Sequence, residues 1–407
     1  MSGEQLAPGT APPPGFIPLL VPEIRGHEWR YIKECLDTNW VSSVGAFVDR
    51  FESEIASRVG TRFAVATVNG TAALHIALLV AGVQPDDEVL VSTLTFIAPV
   101  NAIRYVGAWP VFVDAEPDHW QMDPAGVTDF LERGCRWHNG ALYNRQTGRA
   151  VTGIVPVHIL GHPVDFDPIC EVARKYNLKV IEDATESLGA TYKGRGVGSL
   201  GEIGCFSFNG NKMITTGGGG MFVTSNEEWA QKARYLTTQA KDDPIEYLHR
   251  EVGYNYRLTN VLAAMGCAQL EQLDTYIAAK RRIAERYDEE LGHLPGISLM
   301  KDAPSAFSSH WMYTLLVNEP DFGMSSRQLL KLLHLQKVQT RPLWQPIHRS
   351  GAHGGKAPAE MPVADRLYQQ ALSLPCSVGL SEDEQSRVIN EVQTIAAKAA
   401  SSPAPCI

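Results

Sequence analysis

The chain has 407 residues, of which 44% are hydrophobic and 20% charged, as is ordinary for a globular protein with a sizeable core. Its formal net charge of -9 argues against nucleic acid or an anionic membrane surface as the main partner, because both attract basic patches. No run approaches the roughly 18 apolar residues of a membrane span, and seven scattered cysteines without a C-x-x-C pair indicate reduced thiols in a cytoplasmic protein.

The first part of the chain alternates strand-like and helix-like segments. Residues 1–16 are rich in proline, glycine and small side chains, lack the features of a signal peptide, and are predicted to form a disordered tail. Residues 17–255 are predicted to form a large α/β domain. Its seven apolar runs are FAVAT (63–67), EVLVS (88–92), WPVFV (109–113), GIVPV (153–157), LKVIE (178–182), GCFSF (204–208) and GGMFVT (219–224). With helices between them, these runs indicate a mostly parallel seven-stranded sheet, with functional residues at the carboxyl ends of the strands.

The rest of the chain has a different pattern of predicted elements. The polar segment 136–150 predicts a loop or hairpin inserted before the fourth strand. Residues 256–398 are predicted to form a smaller α+β domain, and residues 399–407 a frayed tail. The elements predicted in the smaller domain are a long helix over 261–291, a strand over 310–317, a helix near 325–335 and an amphipathic helix near 381–399.

Lys212 is the candidate catalytic residue. It follows a short apolar strand in CFSFNGNK and precedes four consecutive glycines, and a glycine lets the backbone pack close to a ligand because it has no side chain. A loop lysine is more often a solvated surface residue, so this interpretation depends on the other residues around it.

Five further candidates fall at predicted strand ends. Asp183 ends the apolar run LKVIED, where a buried carboxylate is costly unless paired, although it could instead cap the next helix. Gly70 and Thr71 follow the first strand and begin a helix, which suits a phosphate held by backbone N–H groups, although the same pair also forms an ordinary cap. Ser207 could add a hydroxyl and Phe96 could cover a flat ring; the alternatives are a plain strand-end serine and a core phenylalanine.

Together these residues match the requirements of a pyridoxal 5′-phosphate (PLP) site. PLP needs a lysine amine, an acid for its pyridine nitrogen, anchors for its phosphate and a flat partner for its ring. The candidates supply all four at positions expected on one edge of one sheet. No G-x-G-x-x-G follows the first strand, which disfavours a Rossmann dehydrogenase.

At these residues the sequence resembles the DegT/DnrJ/EryC1/StrS family of sugar aminotransferases, which have the PLP-transferase fold of type I. The resemblance extends from about Ile17 to Lys398 and is carried by TVNGTAALHIAL, STLTFIAPVNAI, VHILGHPVD, IEDATESLGATYKGRGVGSLGEIGCFSFNGNK, TTGGGG and GYNYRLTN. It implies a transaminase that takes an amino group from glutamate, stores it as the pyridoxamine form of the cofactor (PMP), and gives it to a nucleotide-linked keto sugar.

The resemblance also implies a role for each residue around the cofactor ring. Lys212 would bind PLP as a Schiff base and, once freed, move the proton between the substrate and cofactor carbons. Asp183 would bind the pyridine nitrogen, Glu186 would lie near the ring hydroxyl, and Phe96 would stack on the ring.

The phosphate is implied to lie between two subunits. Gly70, Thr71 and Ser207 would hold it from one chain. Asn255, in GYNYRLTN, would reach the phosphate of a neighbouring subunit. The active unit implied is therefore a homodimer with a shared site.

Two positions depart from the usual pattern of the family. Glu186 stands where the family often has glutamine, and a carboxylate beside the phenolic oxygen of the ring would be repulsive unless protonated or turned aside. Gly218 stands where the family usually has the glutamate of T-G-E-G-G. The segments TNWVSSVG, NGNK and TTGGGG, with the 136–150 insertion, look most like the branch acting in legionaminic acid and related bacterial nonulosonate or surface-polysaccharide pathways. There the substrate resembles a nucleotide-linked 4-keto-6-deoxy-N-acetylhexosamine.

Candidate substrate contacts lie in two segments. In TRPLWQPIH, Arg341 could meet a diphosphate or the carboxylate of the donor, Trp344 could stack on a sugar or base, and His348 could bond a hydroxyl. Each of the three could instead belong to a structural turn. Trp40 and Ser42 in TNWVSSVG are similar candidates.

No metal site is predicted, and three functional hypotheses remain. His158 and His162 have the spacing of a zinc pair, but HILGH follows a strand and contains glycine, so a helix placing both on one face is not expected. Besides the transaminase, the hypotheses are a PLP- or PMP-dependent sugar dehydratase of the same fold and a non-catalytic regulatory or scaffold homologue. Lys212 counts against the dehydratases that replace this lysine with histidine. With Asp183 and Ser207 also intact, the non-catalytic reading is disfavoured.

Overall fold

A mixed β-sheet forms the centre of the molecule. The computed structural model describes residues 13–243, 245–353 and 360–401. The strands are β1 (Phe63–Thr67), β2 (Glu88–Ser92), β3 (Trp109–Val113), β4 (Cys135–His138), β5 (Ala141–Asn144), β6 (Ala150–Val155), β7 (Lys179–Asp183), β8 (Thr191–Tyr192), β9 (Arg195–Gly196), β10 (Ile203–Ser207), β11 (Gly220–Thr224), β12 (Lys241–Asp243), β13 (Leu248–His249), β14 (Ile297–Leu299), β15 (Ala306–Phe307), β16 (Tyr313–Val317) and β17 (Ala371–Leu374).

Helices surround this sheet and extend into the second half of the chain. The α-helices are α1 (Glu28–Asp37), α2 (Ala46–Val59), α3 (Gly70–Val80), α4 (Ala98–Tyr105), α5 (Pro124–Asp129), α6 (Phe166–Lys175), α7 (Glu227–Thr237), α8 (Asn260–Leu270), α9 (Leu273–Leu291), α10 (Glu319–Phe322), α11 (Ser326–Leu335), α12 (Pro362–Gln370) and α13 (Glu382–Ser401). None of these described helices is both long enough and apolar enough to cross a membrane.

Seven strands form the main path of the sheet, in the spatial order β1-β11-β10-β7-β6-β2-β3. Neighbours from β10 to β3 run parallel, whereas β11 lies antiparallel between β1 and β10. The hairpin of β4 and β5 joins the start of β6 and brings the sheet to nine strands. The predicted mostly parallel seven-stranded sheet and the inserted hairpin are therefore confirmed.

The sheet is buried on both faces, which explains why its strands are continuous apolar runs rather than alternating ones. Every residue of β2 and β11 is buried. Successive side chains of a strand point to opposite faces, so Met221 and Val223 join one hydrophobic core while Phe222, between them, joins the other. The second core lies under α3 and α4, and the first extends into the smaller domain.

The smaller domain is built on an antiparallel sheet of β14, β16 and β17. The long helix predicted over 261–291 is in fact two helices, α8 and α9, because the helix is interrupted at Glu271 and Gln272. The helices predicted near 325–335 and 381–399 correspond to α11 and α13. The strand predicted over 310–317 is shorter, since β16 begins only at Tyr313.

The amino-terminal segment lies against the smaller domain. Ile17 forms a parallel bridge with Val338, and Gly15 O accepts a hydrogen bond from Arg387 in α13. The predicted tail therefore has contacts from residue 13 onward, whereas residues 1–12 and 402–407 lie outside the described residues. The boundaries drawn after residues 255 and 398 stay predictions.

Candidate functional site

The carboxyl ends of β1, β7 and β10 meet at one edge of the sheet, as parallel strands require. Gly70 shows how closely the following segments pack, because a Cβ at this position would lie 2.9 Å from Cβ of Ser207 and 3.1 Å from Cγ2 of Thr185. Only glycine allows α3 to begin directly against the end of β10. The structure thus brings together the predicted residues of three separate segments, with Asp183 ending β7 and Lys212 in the loop after β10.

The side chain of Lys212 lies in a tightly tied loop. The carbonyl of Phe208 accepts a hydrogen bond from Thr216 N–H at 2.9 Å, which joins the beginning of this loop to its end. The lysine side chain is only 14% exposed. Its Nζ lies 3.5 Å from Oε1 of Glu186 and 4.2 Å from the centre of the Trp311 ring. The amine is therefore held between a carboxyl group and an aromatic face.

Asp183 is a buried carboxylate without a cationic partner of its own. It is 2% exposed and accepts a hydrogen bond from Thr185 N–H at 3.1 Å. Among the described residues, no lysine, arginine or histidine forms an ion pair with it. Burial raises the pKa of this carboxyl group, while the bond from Thr185 and the charge of Lys212 act in the opposite direction. A cation bound against Asp183 would offset the cost of this burial.

Glu186 is the carboxyl group in contact with the lysine amine. Its Oε2 accepts Leu160 N–H at 3.0 Å, while its Oε1 faces Lys212. Leu160 is fully buried with a φ of 61°, a left-handed conformation that is rare for leucine. Burial raises the pKa of Glu186, and the charge of Lys212 opposes that shift. A raised pKa favours the protonated carboxyl group, which would remove the repulsion expected beside a phenolic oxygen.

The turn into α3 has the geometry of an anion site. Asn69 caps the helix, because its side-chain oxygen accepts the N–H three residues later at 2.8 Å. The next residues, Gly70 and Thr71, carry N–H groups of the first turn, where the helix dipole favours negative charge. Gly220 supports this turn, since a Cβ there would clash with the carbonyl group of Asn69. Ser207 adjoins Gly70, as predicted, whereas the role of Gly220 was not predicted.

Two predicted cofactor contacts lie at the surface of the single chain. Phe96 is 54% exposed and follows β2, which lies two strands from β7. Asn255 is also exposed, and its backbone forms an antiparallel bridge with Thr238 after α7. Both side chains are therefore available to a ligand or to another subunit.

The predicted substrate segment 341–348 joins the smaller domain to the edge of the large sheet. Arg341 is exposed, and its backbone pairs with β17. His348 is 2% exposed, and its Nδ1 lies 2.8 Å from Oγ1 of Thr93, just after β2. Its Nε2 lies 3.3 Å from Oδ1 of Asp365 without hydrogen-bond geometry, and burial lowers the pKa of this imidazole. His348 thus connects the segment to the sheet.

The remaining substrate candidates differ in exposure. Trp344 is partly buried against the first core, whereas Trp40 is 57% exposed. Trp40 O accepts the side-chain amide of Asn260 at 2.7 Å, and Ser42 O accepts the backbone N–H of Asn260 at 2.5 Å. Asn260 also accepts Phe47 N–H at 3.0 Å and so holds this whole loop. Asn260 was not singled out from the sequence, because one asparagine gives no local signal of such distant contacts.

A second buried carboxylate lies directly before Asp183. Glu182 is fully buried, and its Oε2 lies 3.1 Å from Nε2 of His158. Its two oxygens also accept three backbone N–H groups at 2.6–2.7 Å, those of Gly198, Leu200 and Gly201. Glu182 therefore organises the loop before β10, and this role was not predicted from the sequence.

The two histidines with zinc-like spacing are both bonded to the protein backbone. Nδ1 of His158 accepts Val164 N–H at 3.0 Å, and Nε2 of His162 accepts Ala303 N–H at 3.0 Å. Burial lowers the pKa of His162 to about 4. Within the ranges that the structure describes, no group of three or more histidine, cysteine, aspartate or glutamate residues could hold a metal ion.

Trp311 connects the smaller domain to the lysine loop. Its indole N–H donates to Asn211 O at 2.6 Å, and its ring faces the amine of Lys212. The sequence predicted Trp311 only as part of a strand. A separation of 100 residues between Trp311 and Asn211 explains why no local pattern indicated this contact.

A protein-family model matches the chain over residues 22–393, and its description is the DegT/DnrJ/EryC1/StrS aminotransferase family. The chain belongs to this family. The family predicted from the sequence is therefore confirmed, while its legionaminic acid branch stays a prediction.

This DegT/DnrJ/EryC1/StrS aminotransferase has named relatives of similar length. It is 41% identical over 377 residues to GDP-perosamine synthase from Caulobacter vibrioides. The alignment covers 92% of this chain and 96% of that protein. It is also 40% identical over 375 residues to EpsN of Bacillus subtilis, which is named as a candidate pyridoxal phosphate-dependent aminotransferase. The alignment covers 90% of this chain and 92% of EpsN. The crystal structure of DesI with its TDP-sugar product matches with a TM-score of 0.84 and 28% identity, covering 96% of this chain and 95% of that one.

PLP is the cofactor of this aminotransferase, and the geometry of the site fits it. When bound, PLP supplies an electron-withdrawing pyridine ring that makes the neighbouring substrate carbon acidic. The unpaired carboxylate of Asp183 suits a protonated pyridine nitrogen. The start of α3 suits the phosphate, because Gly70 leaves no side chain in the way. Lys212 lies at the same edge of the sheet, in the loop after β10, with its largely buried amine beside Glu186.

Proposed function

We propose that this enzyme transfers an amino group from glutamate to a nucleotide-linked keto sugar, with PLP and PMP as the two forms of its cofactor. The observation that carries the proposal is the largely buried Lys212 amine, held 3.5 Å from Glu186 on the sheet edge where Asp183 lacks a cation. The substrate class follows from the relatives, since one is named for a GDP-sugar product and another is seen with a TDP-sugar.

All of these side chains would hold the cofactor, and Lys212 would also move a proton. Lys212 would hold the cofactor at rest, and its amine, once released, would carry the proton that amino transfer requires. Asp183 would keep the pyridine nitrogen protonated, and Phe96 would cover the ring. Gly70, Thr71 and Ser207 would bind the phosphate through backbone and hydroxyl groups.

The keto sugar proposed is a 4-keto-6-deoxy-N-acetylhexosamine used in bacterial surface-glycan or nonulosonate biosynthesis. Trp40, Ser42, Arg341 and Trp344 are the proposed contacts to this sugar and its nucleotide. For His348, the buried bond to Thr93 supports a role in holding Arg341 and its segment in place.

The test is an incubation of the PLP-loaded enzyme with glutamate and a panel of keto sugars. The panel varies the nucleotide among GDP, UDP and TDP, and includes hexoses with and without the N-acetyl group. The expected result is 2-oxoglutarate together with one amino sugar, identified by mass spectrometry, and neither product with Lys212→Ala. A product that has lost water and gained no nitrogen would indicate the dehydratase instead. Bound PLP without turnover of any sugar would favour the non-catalytic homologue.

The proposed active unit is a homodimer in which Asn255 reaches the phosphate of the other subunit. Its exposure on the single chain supports this assignment. A Lys212→Ala chain mixed with an Asn255→Ala chain should recover activity, because one site of the mixed dimer then has both residues intact. No recovery in verified mixed dimers would contradict a shared site.

The proposed location is the cytoplasm. The cysteines in the described part of the chain are all free thiols, as reducing surroundings favour: Cys35, Cys135, Cys170, Cys205, Cys267 and Cys376. Cys406 lies outside the described residues.

A further inference from the structure

We infer that Trp311 is a positioning residue that holds the amine of Lys212 whenever that amine is not bonded to the cofactor. The inference rests on the proposed role of Lys212. Transamination frees this lysine in each half-reaction, and the freed amine must then stay within reach of the substrate carbon.

Trp311 holds the lysine in two ways. The Nζ of Lys212 lies 4.2 Å from the ring centre, within the range of a cation–π contact. The indole N–H donates at 2.6 Å to the carbonyl of Asn211, the residue just before the lysine. A single side chain therefore fixes both the backbone of the lysine loop and the end of the lysine side chain.

The backbone of Trp311 is itself supported by a buried lysine of α9. Trp311 is 3% exposed, and its carbonyl accepts a hydrogen bond at 2.8 Å from Nζ of Lys280 in α9. Lys280 is 2% exposed, and no carboxylate among the described residues pairs with it. Burial lowers the pKa of this second lysine. An uncompensated buried amine is costly, and here it is placed where it supports the backbone of Trp311.

The segment around Trp311 also supports the carboxyl group on the other side of the amine. A Cβ at Gly161 would lie 2.7 Å from Trp311 N, so the two backbones are in direct contact. The neighbouring Leu160 gives its N–H to Glu186 at 3.0 Å. The ring and the carboxyl group that flank Lys212 are thus held as one unit across the junction of the two domains.

Two substitutions separate this role from ordinary core packing. Trp311→Phe and Trp311→Met both remove the indole N–H and keep a hydrophobic side chain, but only phenylalanine keeps an aromatic face. Each cofactor-free variant is mixed with PLP, and the rate of Schiff-base formation is followed by visible absorbance. We expect Trp311→Phe to stay within about threefold of the wild type, and Trp311→Met to be about tenfold slower. Equal rates for the two variants, with melting curves showing both folded, would overturn the inference.

The same substitutions of Trp311 in a Lys212→Ala chain show whether their effect on PLP binding depends on the lysine. In Lys212→Ala chains, the affinity for non-covalent PLP should be the same within about twofold for tryptophan, phenylalanine and methionine at position 311, as for independent contacts. A tenfold loss in this background would place Trp311 in the cofactor pocket and overturn its positioning role. In amino transfer, Trp311→Met should lower kcat while leaving KM for glutamate nearly unchanged.

These measurements separate the inference from the proposed function. PLP capture requires no sugar, so an enzyme that captures PLP in the expected order yet aminates no keto sugar would remove the proposed substrate and leave the role of Trp311 standing. A wild-type protein that forms no Schiff base on Lys212 would remove both.

Discussion

Two neighbouring carboxylates at the end of β7 have opposite surroundings. Glu182 and Asp183 are both buried, and because successive residues of a strand point to opposite faces, they face different parts of the molecule. Glu182 accepts three backbone N–H groups and contacts His158. Asp183 accepts one backbone N–H, from Thr185, and has no cation in ion-pair contact within the described chain.

The difference separates a structural carboxylate from one that we propose binds the cofactor. A buried carboxylate is costly unless a cation pairs with it, so the lack of an ion-pair partner at Asp183 points to a bound cationic group. Glu182 also serves the site indirectly, because the loop that it holds contains Gly198, where any side chain would clash with Phe206 of β10. One carboxylate thus supports the strand before the lysine loop, while the other lies where we propose that the cofactor binds.

The largest expected effect comes from the lysine on the ligand side. Lys212→Ala should lower amino transfer by roughly four orders of magnitude or more, because it removes the amine that we propose both holds the cofactor and carries the proton. The fold should survive, since the amine makes only one hydrogen bond, at 3.5 Å to Glu186, and one ring contact, with Trp311. Steady-state assays and thermal melting measure the two effects. Turnover near the wild-type value would contradict the assignment of Lys212.

Asp183→Asn should lower kcat/KM by about a hundredfold to a thousandfold, the effect of removing one partner of a buried ion pair. Stability should change in the other direction. Burial raises the pKa of Asp183 in the folded state, so its ionised form destabilises the cofactor-free protein increasingly as pH rises from the ordinary value of 3.8.

At neutral pH, cofactor-free Asp183→Asn should therefore melt about 1–3 °C above the wild type. This advantage should disappear below pH 3.8, where both residues are neutral. Calorimetry of the cofactor-free proteins across pH measures it. A variant that is less stable at every pH would show that Asp183, like Glu182, serves the fold.

Glu182→Gln should reverse that pattern. An amide can accept with one oxygen only, so its NH₂ group would face backbone N–H donors and leave them unsatisfied. We expect the free energy of unfolding to fall by about 2–4 kcal/mol, measured by urea denaturation. The kcat of the folded enzyme should change by less than about threefold. Asp183→Asn is the matched control, and a Glu182→Gln enzyme that is stable but inactive would break the distinction between the two carboxylates.

Much of the fold, and the position of Asp183 and Lys212 at strand ends, could be predicted because the signals are local. The apolar runs around Val89 and Phe222 predicted strands. Asp183 directly follows such a run, and Lys212 comes four residues after another. The antiparallel direction of β11 could not be predicted, because a strand buried on both faces is a continuous apolar run whichever way it runs in the sheet.

The supporting side of the site depends on contacts between distant segments. Glu182 reads as the last residue of an apolar run, and nothing nearby in the sequence indicates the loop N–H groups that it accepts. Asn260 and Trp311 bond to residues 220 and 100 positions away, so neither contact could be inferred from spacing. Candidate ligand-binding residues can be recognised in the sequence by their residue type and position. The residues that hold them in place can be recognised only from the three-dimensional structure.

The smallest expected effect concerns Glu186, which belongs to both groups. It bonds Leu160 N–H and faces Lys212, and burial raises its pKa. With Glu186 near the ring hydroxyl, as we propose, ionisation of the carboxyl group at higher pH would place a negative charge beside the phenolic oxygen, so PLP should be released more readily.

Glu186→Gln should remove this pH dependence, because glutamine keeps an acceptor for Leu160 N–H and cannot ionise. At the alkaline end of a series from about pH 6 to about pH 9, we expect the variant to retain PLP about two- to fivefold better than the wild type, in keeping with the loss of one like-charge contact. The measurement is the visible absorbance that remains after dilution and filtration. The same pH slope in both proteins would show that Glu186 is uncharged in the working range or turned away from the ring, and would group it with Glu182 as a residue of the fold.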